Sequence, residues 1–224
     1  MPAPPRPVQL TLDLPFQEAM RRADFIESPA NAAALRFIDA WPDWPANVAL
    51  LTGPAGSGKT HLATIWAEKS GAQRHLAKGL SFDMIEPWLA TGALVIEDVN
   101  DEQLDETALF HLLNMVRTEG GALLLTSQSP LSAWRVSIAD LSSRLRAAIP
   151  VEIGAPDDIL LAEVYRKQFA DRQIAVDPAV ILYLLPRVER SLTAAREIVG
   201  WLDRASIARG RQITKRFAAE ILEF

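Results

Sequence analysis

One eight-residue segment, GPAGSGKT at 53–60, constrains the fold of this 224-residue chain more than any other feature. It matches the pattern GxxxxGK(S/T) in full and lies between two segments of different periodicity. The apolar run at 47–52 predicts a buried strand, and the apolar spacing at 61–69 predicts a helix. A strand, a glycine loop and a helix in this order favour a phosphate-binding loop over a glycine turn that matches by chance.

The residue types of this loop fit the binding of a nucleotide. Glycines let backbone N–H groups turn inward around phosphate oxygens, and the positive end of the next helix points at the same charge. Lys59 is expected to reach the β- and γ-phosphates, and the Thr60 hydroxyl is expected to hold Mg²⁺. We therefore predict ADP or ATP with Mg²⁺ as cofactors, bound by the loop residues Gly53, Pro54, Ala55, Gly56, Ser57, Gly58, Lys59 and Thr60.

A second apolar run, at 93–99, carries two carboxylates near its end. Glu97 and Asp98 follow four apolar residues, which predicts a strand that delivers acids to the edge of a sheet. In phosphate-loop proteins an acid at this position supports Mg²⁺, and an adjacent acid orients or deprotonates the attacking water. We predict Glu97 and Asp98 as catalytic acids, with Thr60 and Glu97 as Mg²⁺ ligands. A plain strand end followed by a polar loop is the alternative.

The remaining elements of the first two thirds of the chain predict an α/β fold. Further strands are expected at 73–77, 122–127 and 149–153, and an amphipathic helix is expected over 105–118. Apolar strands that alternate with helices favour a parallel sheet covered by helices on both faces. Ligands of such sheets bind at the carboxyl ends of the strands, where Lys59 and both acids would converge.

After residue 154 the pattern predicts helices only. Each of four expected helices has a candidate N-cap, namely Asp157 or Asp158, Asp177, Ser191 or Thr193, and Thr214. This pattern predicts a small all-α subdomain that follows the sheet. The predicted divisions are an extended N-terminal arm over 1–17, a nucleotide-binding α/β base over 18–154 and a helical lid over 155–224.

Composition excludes several other classes of function. The net charge of −5 disfavours DNA or an anionic membrane as the partner of the whole surface, although a local basic patch could still exist. With no cysteine and three scattered histidines, neither disulfides nor a structural zinc site is expected. No apolar run approaches the ~20 residues that span a bilayer. The N-terminus lacks the apolar region of a secretory signal, so a cytoplasmic protein is expected.

Taken together, the motifs resemble the AAA+ family, and within it the replication initiator DnaA and its relatives. The run GPAGSGKTHLA at 53–63 carries their HL pair, which adds His61 to the implied nucleotide site. The run DFIESPAN at 24–31 resembles their approach to the adenine pocket, which implies that Phe25 and Ile26 contact the base.

Three further segments carry the same resemblance. LTS at 125–127 is similar to the sensor 1 strand, which implies Ser127 and Gln128 as sensor residues. AREIVG at 195–200 is similar to the sensor 2 helix, with Arg196 on the arginine that reaches the nucleotide from the lid. LSSR at 141–144 is similar to the arginine-finger box, which implies that Arg144 enters a neighbour's site and acts there as a catalytic residue. From the pattern alone, a surface arginine near a strand start is the favoured interpretation of Arg144, and an ordinary solvent-facing helix residue is the alternative for Arg196.

The N-terminal arm contains a separate motif, QLTLDLPF at 9–16, after a proline-rich lead-in. The resemblance implies a peptide that binds a surface groove of the sliding clamp through Gln9, Leu10, Leu12, Leu14, Pro15 and Phe16. The alternating leucines are also compatible with an edge strand that packs on the core of this domain.

The layout as a whole resembles the Hda family of DnaA-homologous regulators. An AAA+ module with a short arm is expected, without the helix-turn-helix domain in which the initiator continues. The resemblance implies a nucleotide-bound regulator, in an ADP form, that docks on the DNA-loaded β sliding clamp of DNA polymerase III and stimulates ATP hydrolysis by DnaA. This activity would prevent over-initiation of replication, and self-assembly as a homodimer or larger species is left open.

Intrinsic hydrolysis is expected to be weak or absent, because Glu97 stands where the initiator has an aspartate. Two rival functions remain at this stage. An autonomous P-loop ATPase or loader that acts on nucleic acid or a helicase would need a basic patch and an ATPase that DNA stimulates. An initiator-like scaffold would bind nucleotide and partners without stimulating any hydrolysis.

Overall fold

The computed structural model describes residues 20–99 and 104–222. The predicted arm over 1–17, with its clamp motif, lies outside these described residues. Within them, five parallel strands form one sheet in the order β2-β3-β4-β1-β5. The strands are β1 Val48–Thr52, β2 Gln73–Leu76, β3 Ala93–Glu97, β4 Ala122–Ser127 and β5 Ile149–Glu152. The predicted parallel sheet is therefore confirmed, with strand ends within two residues of the predicted ones.

Helices cover both faces of this sheet. The helices that come before the last strand are α1 Ala32–Asp39, α2 Lys59–Ser70, α3 Ile85–Leu89, α4 Glu106–Glu119 and α5 Ala139–Arg146. On one face Leu51 of β1 belongs to a core shared with Trp66 of α2. On the other face Leu50, the neighbouring residue of β1, belongs to a core shared with Leu109 of α4. The alternation of side chains along a strand thus sends consecutive leucines into two separate layers.

Four helices follow the sheet and pack around a core of their own. They are α6 Asp158–Asp171, α7 Pro178–Leu184, α8 Leu192–Arg209 and α9 Lys215–Leu222. Tyr165, Phe169 and Phe217 are fully buried in this helical core. We refer to these four helices as the lid and to the part of the chain that carries the sheet as the base.

The predicted helix caps of the lid are confirmed, and the structure selects between the alternatives. Asp157 rather than Asp158 caps α6, because its carboxylate accepts a hydrogen bond from the Leu160 amide at 2.7 Å. Ser191 rather than Thr193 caps α8, where its hydroxyl accepts from the Ala194 amide at 3.3 Å.

Three helices of the base, α1, α3 and α5, were not predicted from the sequence. Helix α3 has only five residues and carries Pro87 in its first turn, where the missing N–H has no intrahelical partner to lose. Helix α5 buries only Leu141 and Leu145, so its apolar stripe is too short to produce a clear periodicity. Among the described residues, no helix combines the length and apolar character needed to cross a membrane.

Candidate nucleotide-binding site

The phosphate loop connects β1 to α2 at the carboxyl edge of the sheet. The Gly53 amide donates to the carbonyl of Ser127 at 3.2 Å, and a Cβ on Gly53 would lie 2.6 Å from the carbonyl oxygen of Ile153. Gly58 is the N-cap of α2 and has a φ of 105°. A side chain at position 53 is therefore excluded because it would be too close to another backbone segment. At position 58 a side chain is disfavoured by the left-handed backbone conformation.

Lys59 is the first residue of α2 and is only 7% exposed. Its ammonium donates to two carbonyls of the loop, at 2.8 Å to Gly53 and 2.9 Å to Pro54. Burial lowers the pKa of Lys59 below its ordinary value, and the carboxylate of Asp98 opposes this shift. A buried cation held within the loop, at the positive end of a helix, is suited to bind phosphate oxygens.

A cavity of about 290 Å³ adjoins the loop, between base and lid. Its walls include Gly58 and four residues that the resemblance implied, namely Phe25, Ile26, His61 and Arg196. The lid contributes further lining residues that the sequence did not single out, namely Leu160, Val164, Lys167, Gln168, Asp171 and Leu192. This volume lies near the lower end of the range typical of small-molecule sites.

The segment before α1 is held in place by Asn31, which is 2% exposed. Its side-chain oxygen accepts from the Ser28 amide at 2.8 Å, and its nitrogen donates to the Ile26 carbonyl at 3.0 Å. Phe25 packs against the sheet core and meets His61 edge to face at 5.1 Å, whereas Ile26 packs against the lid core. At this wall of the cavity, two consecutive residues therefore contact different parts of the molecule, Phe25 the base and Ile26 the lid.

The lid contacts the phosphate loop directly through the start of α8. The Leu192 amide donates to the Gly56 carbonyl at 2.9 Å. Gly56 has a φ of +64°, and a Cβ there would lie 2.1 Å from the Ser191 hydroxyl oxygen. Arg196 follows about one helical turn later on α8 and faces the same cavity.

An ion pair connects the lid to the base at another wall of the cavity. The Lys167 ammonium of α6 lies 3.0 Å from an Asp24 oxygen and 3.0 Å from an oxygen of Asp171, one turn further along α6. The hydrogen bond from Lys167 lowers the pKa of the Asp24 carboxyl. The spacing of Lys167 and Asp171 is readable as an i,i+4 pair, but nothing local identifies Asp24 as its partner.

The two predicted acids have different surroundings. Glu97 is 8% exposed, and its Oε1 accepts from Arg74 Nε at 3.1 Å and from Nη2 at 2.5 Å. Asp98 is exposed and has a φ of 58°, and its amide donates to the Thr126 hydroxyl at 3.1 Å. The chain therefore turns sharply at the end of β3. The turn separates Glu97, whose charge is balanced by an arginine, from Asp98, which is exposed to solvent.

At such a site Mg²⁺ would neutralise negative charge on the phosphates of a bound nucleotide. Thr60, exposed at the start of α2, fits the predicted role of a hydroxyl ligand. Glu97 does not fit, because its carboxylate already forms an ion pair with Arg74. In 20–99 and 104–222, no group of three or more acidic, histidine or cysteine side chains is arranged to hold a metal ion.

The predicted sensor residues lie where β4 ends. Ser127 is 1% exposed, and its hydroxyl donates to the Ser129 carbonyl at 3.0 Å and accepts from the Ser129 amide at 3.1 Å. Gln128 follows it and is exposed. The structure thus places both residues at the carboxyl edge of the sheet, but it uses the Ser127 hydroxyl to stabilise a turn.

Arg144 lies on α5, away from the phosphate loop. Its guanidinium carbon is 5.1 Å from the centroid of the Phe110 ring of α4, a cation–π arrangement. It lines a groove of about 380 Å³ together with Val48, which begins β1, and Ala148, which precedes β5. Since strands β1 and β5 start there, this groove lies at the amino edge of the sheet, opposite to Lys59.

The comparison with curated proteins relates this chain to a replication initiator. Over 92% of its length it is 26% identical to the chromosomal replication initiator protein DnaA of Caulobacter vibrioides, and the match spans 48% of that protein. The chain therefore spans about half the length of the initiator it matches. It is also 28% identical, over 76% of its length, to an uncharacterized protein of Haemophilus influenzae, of which 79% is matched. No protein-family model matches the chain.

Solved structures agree with this relationship at the level of the fold. Domain III of DnaA from Thermotoga maritima superposes with a TM-score of 0.78 at 17% identity, covering 91% of this chain and 95% of that one. RuvB of Thermotoga maritima gives a TM-score of 0.72 at 17% identity, covering 93% and 72%. AMPPCP-bound DnaA from Aquifex aeolicus gives 0.67 at 18% identity, covering 81% and 64%. The chain is therefore DnaA-like in sequence and has the AAA+ phosphate-loop fold.

Proposed function

We propose that this chain is a nucleotide-bound AAA+ regulator of the Hda type, which stimulates ATP hydrolysis by DnaA while docked on the DNA-loaded sliding clamp. The observation that carries the proposal is the position of Arg144. In a chain similar to DnaA, this arginine lies at the amino edge of the sheet, opposite to the chain's own phosphate loop. A guanidinium in that position is suited to act on the nucleotide of another subunit.

The chain's own nucleotide, ADP or ATP, binds at the carboxyl edge in this proposal. The loop and Lys59 hold the phosphates, the adenine enters the cavity beside Phe25 and Ile26, and Arg196 contributes from the lid. A buried lysine, a cavity of suitable size next to it and the AMPPCP-bound state of a structural neighbour support this assignment. Binding then couples base and lid, so the nucleotide acts as a conformational effector.

Arg144 acts in trans in this proposal. Its guanidinium stabilises the charge that develops on the γ-phosphoryl group of ATP bound to DnaA, whereas DnaA supplies the nucleotide and positions the water. The cation–π contact with Phe110 limits the conformations of the arginine before the partner arrives. Intrinsic hydrolysis is weak in this account, because Arg74 neutralises Glu97.

Docking on the β sliding clamp rests on the sequence motif alone, since residues 9–16 lie outside the described part of the chain. An extended peptide with few apolar anchors binds weakly, with a dissociation constant on the order of micromolar. A clamp that presents several grooves would raise the effective affinity through avidity.

The test is a hydrolysis assay with ATP-bound DnaA, clamp loaded on DNA and the purified chain. We expect ADP-DnaA to accumulate only when clamp and chain are both present. A variant with alanine at Gln9, Leu12, Leu14 and Phe16 should lose this stimulation and still bind ADP. Stimulation that persists without the clamp would contradict the docking step. No stimulation, together with an ATPase of the chain itself that DNA activates, would favour the autonomous ATPase instead.

A further inference from the structure

The register of the sheet brings an arginine to the predicted metal-side acid. In the parallel pairing of β2 with β3, Arg74 lies opposite Val95 and Leu76 lies opposite Glu97. Because alternate residues of a strand project from the same face, Arg74 and Glu97 share a face as diagonal neighbours. That face also carries α2, whose first residue is Lys59.

The resulting ion pair is short and largely withdrawn from water. Both Arg74 donors go to Oε1 of Glu97, at 3.1 and 2.5 Å, and the two side chains are 30% and 10% exposed. Breaking a buried pair leaves a charge unpaired at substantial cost, so the arginine is held firmly in place. A guanidinium also keeps its charge throughout the accessible pH range.

This pair removes the feature that would attract a divalent cation to Glu97. The carboxylate charge is already balanced, and a cation on its free oxygen would lie close to a fixed positive group. Like charges at such short range repel strongly where water is partly excluded. Glu97 therefore has the geometry of a structural residue.

The adjacent acid has the opposite surroundings. Asp98 is exposed, its left-handed backbone turns it away from the line of β3, and the Thr126 hydroxyl fixes its amide at 3.1 Å. Its charge also acts on Lys59, since it opposes the effect of burial on the pKa of that lysine. Asp98 thus interacts electrostatically with the residue that would bind phosphate.

We propose that Arg74 holds Glu97 in a structural ion pair. Of the two acids at the end of β3, Asp98 is then the one whose carboxylate interacts with the metal–nucleotide complex. The metal-side role that the sequence predicted for Glu97 therefore passes to Asp98, and Glu97 keeps a structural role only. This inference rests on nucleotide binding in the proposed function and adds to it which carboxylate the bound complex meets.

The test measures the affinity for ADP and ATP by calorimetry, once with Mg²⁺ and once with EDTA. The factor by which Mg²⁺ raises the affinity, here called the Mg²⁺ gain, is then compared between variants. Asp98→Asn should reduce this gain by about tenfold, the scale typical of lost metal-site contacts. Glu97→Gln should leave it within about twofold, because the carboxylate does not interact with the metal in the wild-type chain. In an Arg74→Met background, Glu97 is released, so Glu97→Gln should now change the gain and complete a double-mutant cycle.

Two controls separate this effect from misfolding. Arg209→Met removes an arginine that pairs with Glu220 in the lid, far from the strand end, and should not alter the gain. The double variant Arg74→Met with Glu97→Gln contains no unpaired charge, so it keeps the experiment usable if a single variant unfolds.

The outcomes distinguish the two proposals. Loss of the Mg²⁺ gain in Glu97→Gln with Arg74 intact would overturn the inference and leave nucleotide binding untouched. A wild-type chain that binds nucleotide with no Mg²⁺ gain, or a gain that Asp98→Asn does not change, would also overturn it. If the wild-type chain binds neither ADP nor ATP, the proposed function fails, and the inference fails with it.

Discussion

The two edges of the sheet present positive charge in different ways. At the carboxyl edge Lys59 is buried, bonded to backbone carbonyls and covered by a lid that contacts the loop. At the amino edge Arg144 lines an open groove, and its guanidinium contacts the Phe110 ring. The first arrangement suits a ligand that the chain retains, and the second suits a ligand that another molecule brings. In the proposed function, the first edge would hold the chain's own nucleotide and the second would meet the nucleotide of DnaA.

Replacing Arg144 should produce the largest of the expected effects. It should also change the activity assigned to the amino edge without changing nucleotide binding at the carboxyl edge. If this guanidinium completes the site of DnaA, Arg144→Ala should lower the stimulated hydrolysis rate by about 10³-fold or more, as for other arginine fingers. The measurement is ADP-DnaA formation on clamp-loaded DNA, with ADP affinity of the variant determined in parallel. The affinity should not change.

Arg146→Ala is the matched control for this experiment. Arg146 lies on the same helix, is exposed and donates to the Ser142 hydroxyl at 2.7 Å. Its removal should leave stimulation close to the wild-type rate. Equal losses in both variants would mean that the helix, rather than the Arg144 guanidinium, is what DnaA requires.

Lys59 tests the other edge. Lys59→Ala removes the ammonium group that is proposed to contact phosphate, so it should weaken ADP binding by about 10- to 100-fold, measured by calorimetry. Lys69→Ala, at the far end of α2, is the control and should bind ADP normally. If Lys59→Ala binds ADP with wild-type affinity, the cavity beside the loop is not a phosphate site.

The contact between loop and lid predicts an intermediate effect. Gly56→Ala introduces both backbone strain and a clash with Ser191, so it should lower the free energy of unfolding by more than about 1 kcal/mol. Gly210→Ala has a similar φ of +60° with no atom within 4 Å of the added carbon, so it reports the strain alone. Equal changes in melting temperature for both variants would indicate that the loop–lid contact adds nothing.

Removing the aromatic ring that contacts Arg144 should have a smaller effect. An exposed cation–π contact is worth about 0.5–1 kcal/mol, so Phe110→Ala should reduce the stimulated hydrolysis rate by about two- to fivefold. Phe82→Ala, which removes a ring that is 65% exposed and touches His111 instead, is the control. A loss as large as that of Arg144→Ala would point to a role of Phe110 beyond holding the arginine.

A moderate rise in pH should produce the smallest effect, and this effect should be limited to ADP binding at the carboxyl edge. Burial lowers the pKa of Lys59 in the free chain, and phosphate binding requires its charged form. ADP affinity should therefore decline as pH rises toward the ordinary lysine value, with proton uptake on binding that calorimetry in two buffers can detect. Lys59→Arg should remove this dependence, because a guanidinium keeps its charge. An identical decline in that variant would assign the effect to another group.

Local rules were enough to predict much of this fold. The strands, the phosphate loop and the caps of α6 and α8 each depend on residues adjacent in sequence, so their positions are readable from the pattern. The sequence pattern does not predict the short helices α3 and α5, because their stability comes from packing rather than from their own periodicity. The pairing of Arg74 with Glu97 depends on strand register, which one sequence does not reveal.

The hydrogen bond between the Leu192 amide and the Gly56 carbonyl also limits how the cleft can open. It joins the first residue of α8 to the loop, so we expect the cleft to open on the α6 side. On that side the Lys167–Asp24 ion pair connects lid and base. Because added salt screens this partly exposed ion pair, we expect any bound ADP to dissociate faster as the ionic strength rises.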